Sequence, residues 1–378
     1  MKKVLIVIGT RPEAIKMVPL YQALKQRSDV DTKLCVTAQH RGMLDQVLLA
    51  FDVTPDFDLN LMSRKQDLFD ITTATLTGMK EVLQSYPADW VLVQGDTSTT
   101  MAASLAAFYM KIPVGHVEAG LRTGRKYEPW PEEINRKLTS VLADLHFAPT
   151  SLSRENLFKE GLAAERIFVT GNTVIDALKL ALERIQSKSD IQEQLQQQFH
   201  FVKPEQKIIL VTAHRRENFG HAFEDICTAL KQLVMDHSDV DLIFPVHPNP
   251  NVREPVYRIL DDGSSPTKRI HLMEPLDYLP FVYLLEKSHF IISDSGGVQE
   301  EASWLGKPLL IMRDTTERPE VLQSGAAKLV GTNPKHIQES AAELIGCNRV
   351  YQAMATAKNV FGEGDAALKI VDHLLQFK

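Results

Sequence analysis

Along the chain, short runs of apolar and β-branched residues recur, separated by longer stretches whose apolar positions follow helical spacing. In the first half the short runs are residues 4–8, 32–36, 90–94, 112–117, 145–148 and 167–170. A second series follows at 208–212, 242–246, 270–273, 290–293, 309–312 and 328–330. Helical periodicity predicts helices over 67–83, 99–110, 134–143, 222–234, 298–305 and 337–345. Runs that are apolar on both faces and alternate with helices predict parallel sheets covered on both sides.

Two such series are too many for one compact sheet. The fold class is therefore α/β, with two Rossmann-like, doubly wound parallel-sheet domains facing a cleft. The boundary belongs where strands stop, between 171 and 207, around a polar, Gln-rich stretch that reads as a surface helix or linker. This puts one domain at 1–171 and the other at 172–364. Residues 365–378 form a helical pattern with no strand after it, preceded by Gly362-Glu-Gly364, and are expected to cross back onto the first domain. Ligands of open α/β sheets bind beyond the C-terminal ends of strands, so chemistry is sought there.

Composition narrows the class further. The 378 residues predict two to three domains, and 44% hydrophobic with 24% charged residues is ordinary for a globular chain. A net charge of −6, from 42 basic and 48 acidic residues, argues against a nucleic-acid partner but permits one local phosphate-binding cleft. Cys35, Cys227 and Cys347 are widely spaced, so a reducing compartment is expected and no metal site. The apolar run after Lys2-Lys3 is too short for a signal peptide, and no run approaches membrane-spanning length. A cytoplasmic protein without a membrane partner is the expectation.

Polar clusters sit at the predicted strand ends. Gly9-Thr-Arg-Pro-Glu13 follows the first strand where a dinucleotide fold would carry GxGxxG, which is absent. Arg11, Lys16 and the helix start could hold an anion, unless the segment is simply a capped turn. Gln94-Gly-Asp96-Thr97 opens a helix, with Asp96 as an N-cap or as one of several clustered carboxylates. His116-Val-Glu118-Ala-Gly-Leu-Arg122 runs into a loop that ends at Glu132, Glu133 and Arg136. Glu118 and Glu132 are either an acid/base pair or partners of Arg122 and Arg136 on a solvated loop. In the second half, His214-Arg-Arg-Glu-Asn218 ends a strand and is placed to meet a phosphate, while His247-Pro-Asn-Pro-Asn251 reads equally well as a tight connection. Ser293-Asp-Ser295-Gly296-Gly297 turns a strand directly into a helix, so backbone N–H groups of Ser295, Gly296 and Gly297 can point at a phosphate. Glu301 is placed to accept from a ribose diol, and Arg318 in Thr315-Thr-Glu-Arg-Pro319 adds a phosphate contact or starts a helix.

Taken together, these stretches closely resemble the non-hydrolysing UDP-N-acetylglucosamine 2-epimerases, over essentially the full length. The resemblance rests on the ordered set Gly9–Glu13 with Lys16, Gln94–Thr97, His116–Arg122, Pro131–Glu133 with Asn135-Arg136, His214–Asn218, and Ser293–Gly297 with Gln299–Glu301. It implies a GT-B-like fold, a UDP site mainly on the C-terminal domain, a homodimer, and reversible conversion of UDP-GlcNAc to UDP-ManNAc for surface polysaccharides. It also implies a regulatory substrate site at Gln39 and His40, where Gly42 stands in place of a longer side chain.

The chemistry has its own logic. The C2 hydrogen of an N-acetylhexosamine has no adjacent carbonyl to acidify it. Inversion needs either oxidation at C3 by a nicotinamide or loss of the anomeric leaving group. With no dinucleotide fingerprint and many phosphate-binding devices, elimination to 2-acetamidoglucal and re-addition of UDP is favoured, with no cofactor. Asp96, Glu118 and Glu132 supply proton transfers, and His214 joins them as a catalytic group. Arg11, Lys16, His214 and the amides of Ser295, Gly296 and Gly297 hold the departing UDP, with Arg122 and Arg136 orienting the carboxylates. A GT-B glycosyltransferase, a hydrolysing 2-epimerase and a non-catalytic UDP-sugar sensor are the competing readings.

Overall fold

The structure, a computed structural model, describes residues 1–37, 41–61, 66–203, 205–263 and 266–377. The chain divides into two compact units, Met1–Leu180 with Phe361–Lys378, and Ala181–Val360.

The first unit carries β1 Lys2–Ile8, β2 Val30–Val36, β3 Phe57–Asp58, β4 Trp90–Gln94, β5 Val114–Val117, β6 Leu145–Ala148 and β7 Ile167–Val169. They form one sheet in the order β3-β2-β1-β4-β5-β6-β7, with every pair parallel. Val4, Leu5, Ile6 and Ile8 are fully buried, as strands covered by helices on both faces must be. The order reverses between β1 and β4, and such a switch point opens a crevice at the C-terminal strand ends. The sequence reading missed β3, a two-residue edge strand too short to show a periodicity. The fifth strand begins at Val114 rather than at residue 112, because Pro113 just before it has no N–H to give a ladder.

In the second unit, β8 Lys207–Thr212, β9 Val240–Pro245, β10 Ile270–Met273, β11 Phe290–Ser293, β12 Leu309–Ile311 and β13 Ala327–Leu329 form a parallel sheet in the order β10-β9-β8-β11-β12-β13. Its core is a continuous cluster that includes Val211, Phe223, Phe244, Ile292 and Ile337. Here the switch point lies between β8 and β11.

The chain leaves the first unit inside the helix Thr173–Ser187, after Leu180, rather than at residue 171. The first half of that helix is held by Asp176, whose carboxylate accepts from the backbone N–H of Ala366 (3.2 Å) and Ala367 (2.9 Å). Those two residues open the last helix, Ala366–Gln376. It buries Ile370, Val371 and Leu374 and packs against the helix Arg11–Lys25. Each such apolar side chain contributes about 1.5–3 kcal/mol when fully buried. Among the described residues, no helix is long and apolar enough to cross a membrane.

Candidate active site

In the first unit, Glu13 joins the ends of β1 and β4. One carboxylate oxygen accepts from the Gly9 N–H (3.1 Å) and the Thr10 hydroxyl (2.7 Å), the other from Thr97 (2.8 Å) and Thr100 (3.1 Å). Burial pushes its carboxyl up, and these donors pull it back. Gly9 is required by close approach, since a Cβ there would lie 2.4 Å from Thr99 Oγ1. Arg11 opens the following helix, half-buried.

Glu118 follows β5 with a backbone φ of +62°, a left-handed conformation that a non-glycine residue adopts only when its surroundings impose it. Its carboxylate is buried. Oε1 accepts from Lys16 Nζ at 2.5 Å and Asn172 Nδ2 at 2.8 Å, and Oε2 accepts from Gln94 Nε2. Lys16 therefore meets Glu118, and the helix Arg11–Lys25 delivers this cation to the end of β5. Two residues back is His116, fully buried, with Nε2 2.8 Å from the Gly95 carbonyl. A carbonyl only accepts, so Nε2 carries the proton, and Nδ1 is a buried acceptor without a partner among the described residues. Burial lowers this imidazole to about 4, although the Gly95 bond opposes the shift. Its neighbour on β6, His146, is likewise buried and is lowered by burial to about 3.

Asp96 does not cap the helix Ser98–Tyr109. Thr97 does, accepting from Thr100 N–H at 3.1 Å. The cap leaves the Asp96 carboxylate to Arg136, whose Nε and Nη2 stand 3.0 Å and 2.8 Å from Asp96 Oδ2. Asn135 adds a bond to the Asp96 carbonyl at 2.9 Å. These two residues and Glu132 belong to one helix, Glu132–Leu142, so Glu132 is docked beside the loop that bears Asp96. Glu132 Oε2 is buried and lacks a partner among the described residues. Glu133 instead accepts from the backbone N–H of Thr123 and Gly124, both at 3.1 Å, and from Arg136. Arg122 departs from the expected role of orienting these carboxylates. Its guanidinium is taken by Glu160 at 2.8–2.9 Å and by Ser140, because the chain turns away at Gly120.

In the second unit, Asp294 after β11 organises the end of β8. It is fully buried and accepts from the N–H groups of His214 (2.9 Å) and Arg215 (2.9 Å) and from Asn218 Nδ2 (3.2 Å). His214 Nδ1 lies 3.4 Å from Asp294 Oδ1, and its ring stacks on His247 at 5.5 Å. Burial lowers the His214 imidazole, and Asp294 opposes the shift. Asn249 caps the next helix at Asn251, so the His247–Asn251 stretch is both a tight connection and a support for His214.

Ser295 precedes the helix Gly296–Trp304 without a side-chain cap bond. Its own N–H, expected to face a phosphate, instead donates to Ser293 Oγ at 2.9 Å, because the chain folds back on the end of β11 there. The first N–H groups of any helix lack intrahelical partners. A Cβ on Gly296 would lie 2.5 Å from Glu317 Oε1 and 2.7 Å from Arg318 Nη1, whereas one on Gly297 would meet no protein atom within 4 Å. Arg318 is buried and donates to Glu300 (2.5 Å) and Glu317 (2.8 Å). Burial would raise the Glu317 carboxyl, but Arg318 and Arg313 outweigh it and hold it well below the usual range. Arg215 adds a third guanidinium 3.7 Å from Glu317, with its Nε buried and unpartnered among the described residues. Glu301 is buried and accepts from the Tyr278 hydroxyl at 3.1 Å.

Both clusters therefore stand at their own unit's switch point. The first gathers carboxylates with one buried lysine. The second gathers the helix start at Gly296-Gly297, a histidine and three arginines, the composition of an anion site. Sequence reasoning assigned no individual role to Gln94, Asn172, Asp294 or Arg313. Gln39 and His40 lie outside the described residues. Among the described residues, no three of His, Cys, Asp and Glu are placed to hold a metal ion.

The family model for UDP-N-acetylglucosamine 2-epimerase matches residues 22–375. The UDP-N-acetylglucosamine 2-epimerase of Escherichia coli K12 is 53% identical over 372 residues, covering 98% of each chain. A crystal structure of UDP-GlcNAc 2-epimerase from Neisseria meningitidis bound to UDP-GlcNAc is 50% identical and superposes with a TM-score of 0.94, covering 99% of this chain and 100% of the other. The S. aureus MnaA structure with UDP is 47% identical, with a TM-score of 0.88 over 99% of this chain and 96% of that one.

Proposed function

Since the chain belongs to the UDP-N-acetylglucosamine 2-epimerase family, we propose that it reversibly inverts C2 of UDP-GlcNAc to give UDP-ManNAc, without net hydrolysis. A carboxylate removes the C2 proton, the C1–O bond breaks, and its electron pair leaves with UDP, giving 2-acetamidoglucal. UDP oxygen then re-forms the bond to C1 while a proton is delivered to C2 from the opposite face. The sequence calls on neither a nicotinamide nor a metal for these steps.

In this reading the second unit's groups take the UDP, with the Gly296-Gly297 helix start, His214 and Arg215 offsetting the charge that develops on the diphosphate. Glu301 accepts from the ribose, and Arg318 braces the helix start through Glu300 and Glu317. The first unit handles the sugar, with Arg11 beside it. The observation that carries acid/base chemistry is the unequal engagement of the three carboxylates. Glu118 is paired with Lys16 and two amides. Asp96 is paired with Arg136. Glu132 keeps a buried oxygen with no described partner. A proton is taken most readily by an oxygen not already committed to a donor, so Glu132 is assigned the transfer on one face. Asp96 and Glu118 serve the other face and its charge. A sensor that only bound a nucleotide sugar would gain nothing from three carboxylates facing an anionic ligand. The same reading makes the protein a cytoplasmic homodimer that feeds surface-polysaccharide synthesis.

Incubation with UDP-GlcNAc alone, with products identified by NMR, tests the proposal. UDP-ManNAc in equilibrium with UDP-GlcNAc is expected. Free ManNAc with UDP would indicate a hydrolase, and no reaction until an acceptor is added would indicate a glycosyltransferase.

A further inference from the structure

Asn172 lies just past β7, buried, and its amide is fixed from both ends. Its Oδ1 accepts the Val174 N–H at 3.1 Å, which leaves Nδ2 to donate to Glu118 Oε1 at 2.8 Å. Its own backbone N–H donates to the Phe361 carbonyl at 2.8 Å. Phe361 is the first residue of the first unit after the chain returns from the second. The two segments meet glycine against glycine there. Gly171 and Gly362 have φ values of +89° and +102°, and a Cβ on Gly362 would lie 3.0 Å from Gly171 Cα. Asp176 then holds the start of the last helix, so the returning segment is clamped on both sides of Asn172.

We infer that Asn172 is a positioning residue for Glu118, holding its carboxylate in place and in its charged form from an anchor on the returning crossover. The inference rests on Glu118 serving the C2 chemistry. An amide N–H stabilises the carboxylate over the neutral acid. Glu118 also faces the Lys16 ammonium, the Gln94 amide and the His116 imidazole, which burial keeps neutral near pH 7. Without Asn172, Glu118 keeps Lys16 on Oε1 but loses the brace against the displacement that its left-handed backbone invites.

The test compares wild type with Asn172→Ser, which retains an acceptor for the Val174 N–H but cannot reach Glu118, and with Asn172→Asp, which keeps the shape but sets a second carboxylate against Glu118. Epimerisation of UDP-GlcNAc is followed from pH 5 to 9, with UDP affinity and thermal midpoint measured in parallel. The loss of one hydrogen bond to a charged group predicts about 10- to 100-fold lower kcat for Asn172→Ser, and a larger loss for Asn172→Asp. UDP affinity should stay within about twofold, and in both variants the acidic limb of the kcat profile should move to higher pH. A folded variant with wild-type kcat, or with reduced kcat and an unmoved acidic limb, overturns the positioning role. An inactive wild type overturns the epimerase reading itself, and this inference with it.

Discussion

Replacing Lys16 with Met removes the cation from the buried pair with Glu118 at nearly constant side-chain volume. At 2.5 Å and an effective dielectric of about 20, the attraction between the two charges is about 7 kcal/mol. Most of that offsets the desolvation of two side chains that are only 11% and 5% exposed. When Lys16 is lost, the desolvation of Glu118 persists while its strongest partner is gone, and the Gln94 and Asn172 amides cover only part of the deficit. A net destabilisation of about 3–5 kcal/mol follows, in the range for a buried pair broken from one side. Urea unfolding at pH 7, followed by the fluorescence of Trp90, which is buried in the first unit, measures it. Glu118→Gln removes the charge that needs the lysine, so the double variant should lose less than the two single variants summed, with a coupling of at least about 2 kcal/mol. A loss below about 1 kcal/mol for Lys16→Met, with no coupling, would refute the buried charge pair.

Glu132→Gln should reduce kcat by at least about 100-fold while leaving UDP affinity unchanged, since only proton transfer is removed. Normal turnover would take Glu132 out of the chemistry. Gly297→Ala should leave the thermal midpoint nearly unchanged, because no protein atom lies within 4 Å of the new Cβ, yet weaken UDP binding about tenfold or more in a calorimetric titration. Gly296→Ala drives a Cβ to 2.5 Å from Glu317 and should also cost about 1–3 kcal/mol of stability. Unchanged UDP affinity in both would move the phosphates off this helix start. His116 and His146, with folded-state values near 4 and 3, favour the folded state most strongly above their unfolded value of about 6.5. That stability is lost as pH falls toward those values, at about 1.4 kcal/mol per pH unit for each ring. His146→Leu should halve this share of the slope in unfolding measurements between pH 6 and 4.5, and an unaltered slope would contradict the buried neutral ring.

Strands apolar on both faces announce themselves in a sequence, which is why β4, β6, β10 and β11 coincide with their apolar runs and the doubly wound class was legible. The polar residues at their C-terminal ends were legible for the same reason, since no packing argument accounts for them. What the sequence could not reveal is who faces whom. Lys16 reads as an anion-binding cation beside Arg11, but its partner Glu118 is 102 residues away. Asn172 carries no local signal, because its contact is made only when β7 is laid beside β6. Asp96 and Thr97 are both capable caps, and only the closed loop shows that Thr97 caps while Asp96 turns to Arg136. In the second half, Asp294 reads as one more polar residue in a Ser-Gly-Gly turn, until the sheet order brings β11 beside β8 and aims it at the His214 and Arg215 amides.

Turnover in heavy water bears most directly on the proposed elimination. With UDP-GlcNAc as the sole substrate, one deuterium is expected at C2 of UDP-ManNAc, and at C2 of the UDP-GlcNAc recovered at equilibrium. Protium retained at C2 in both sugars throughout interconversion would contradict it.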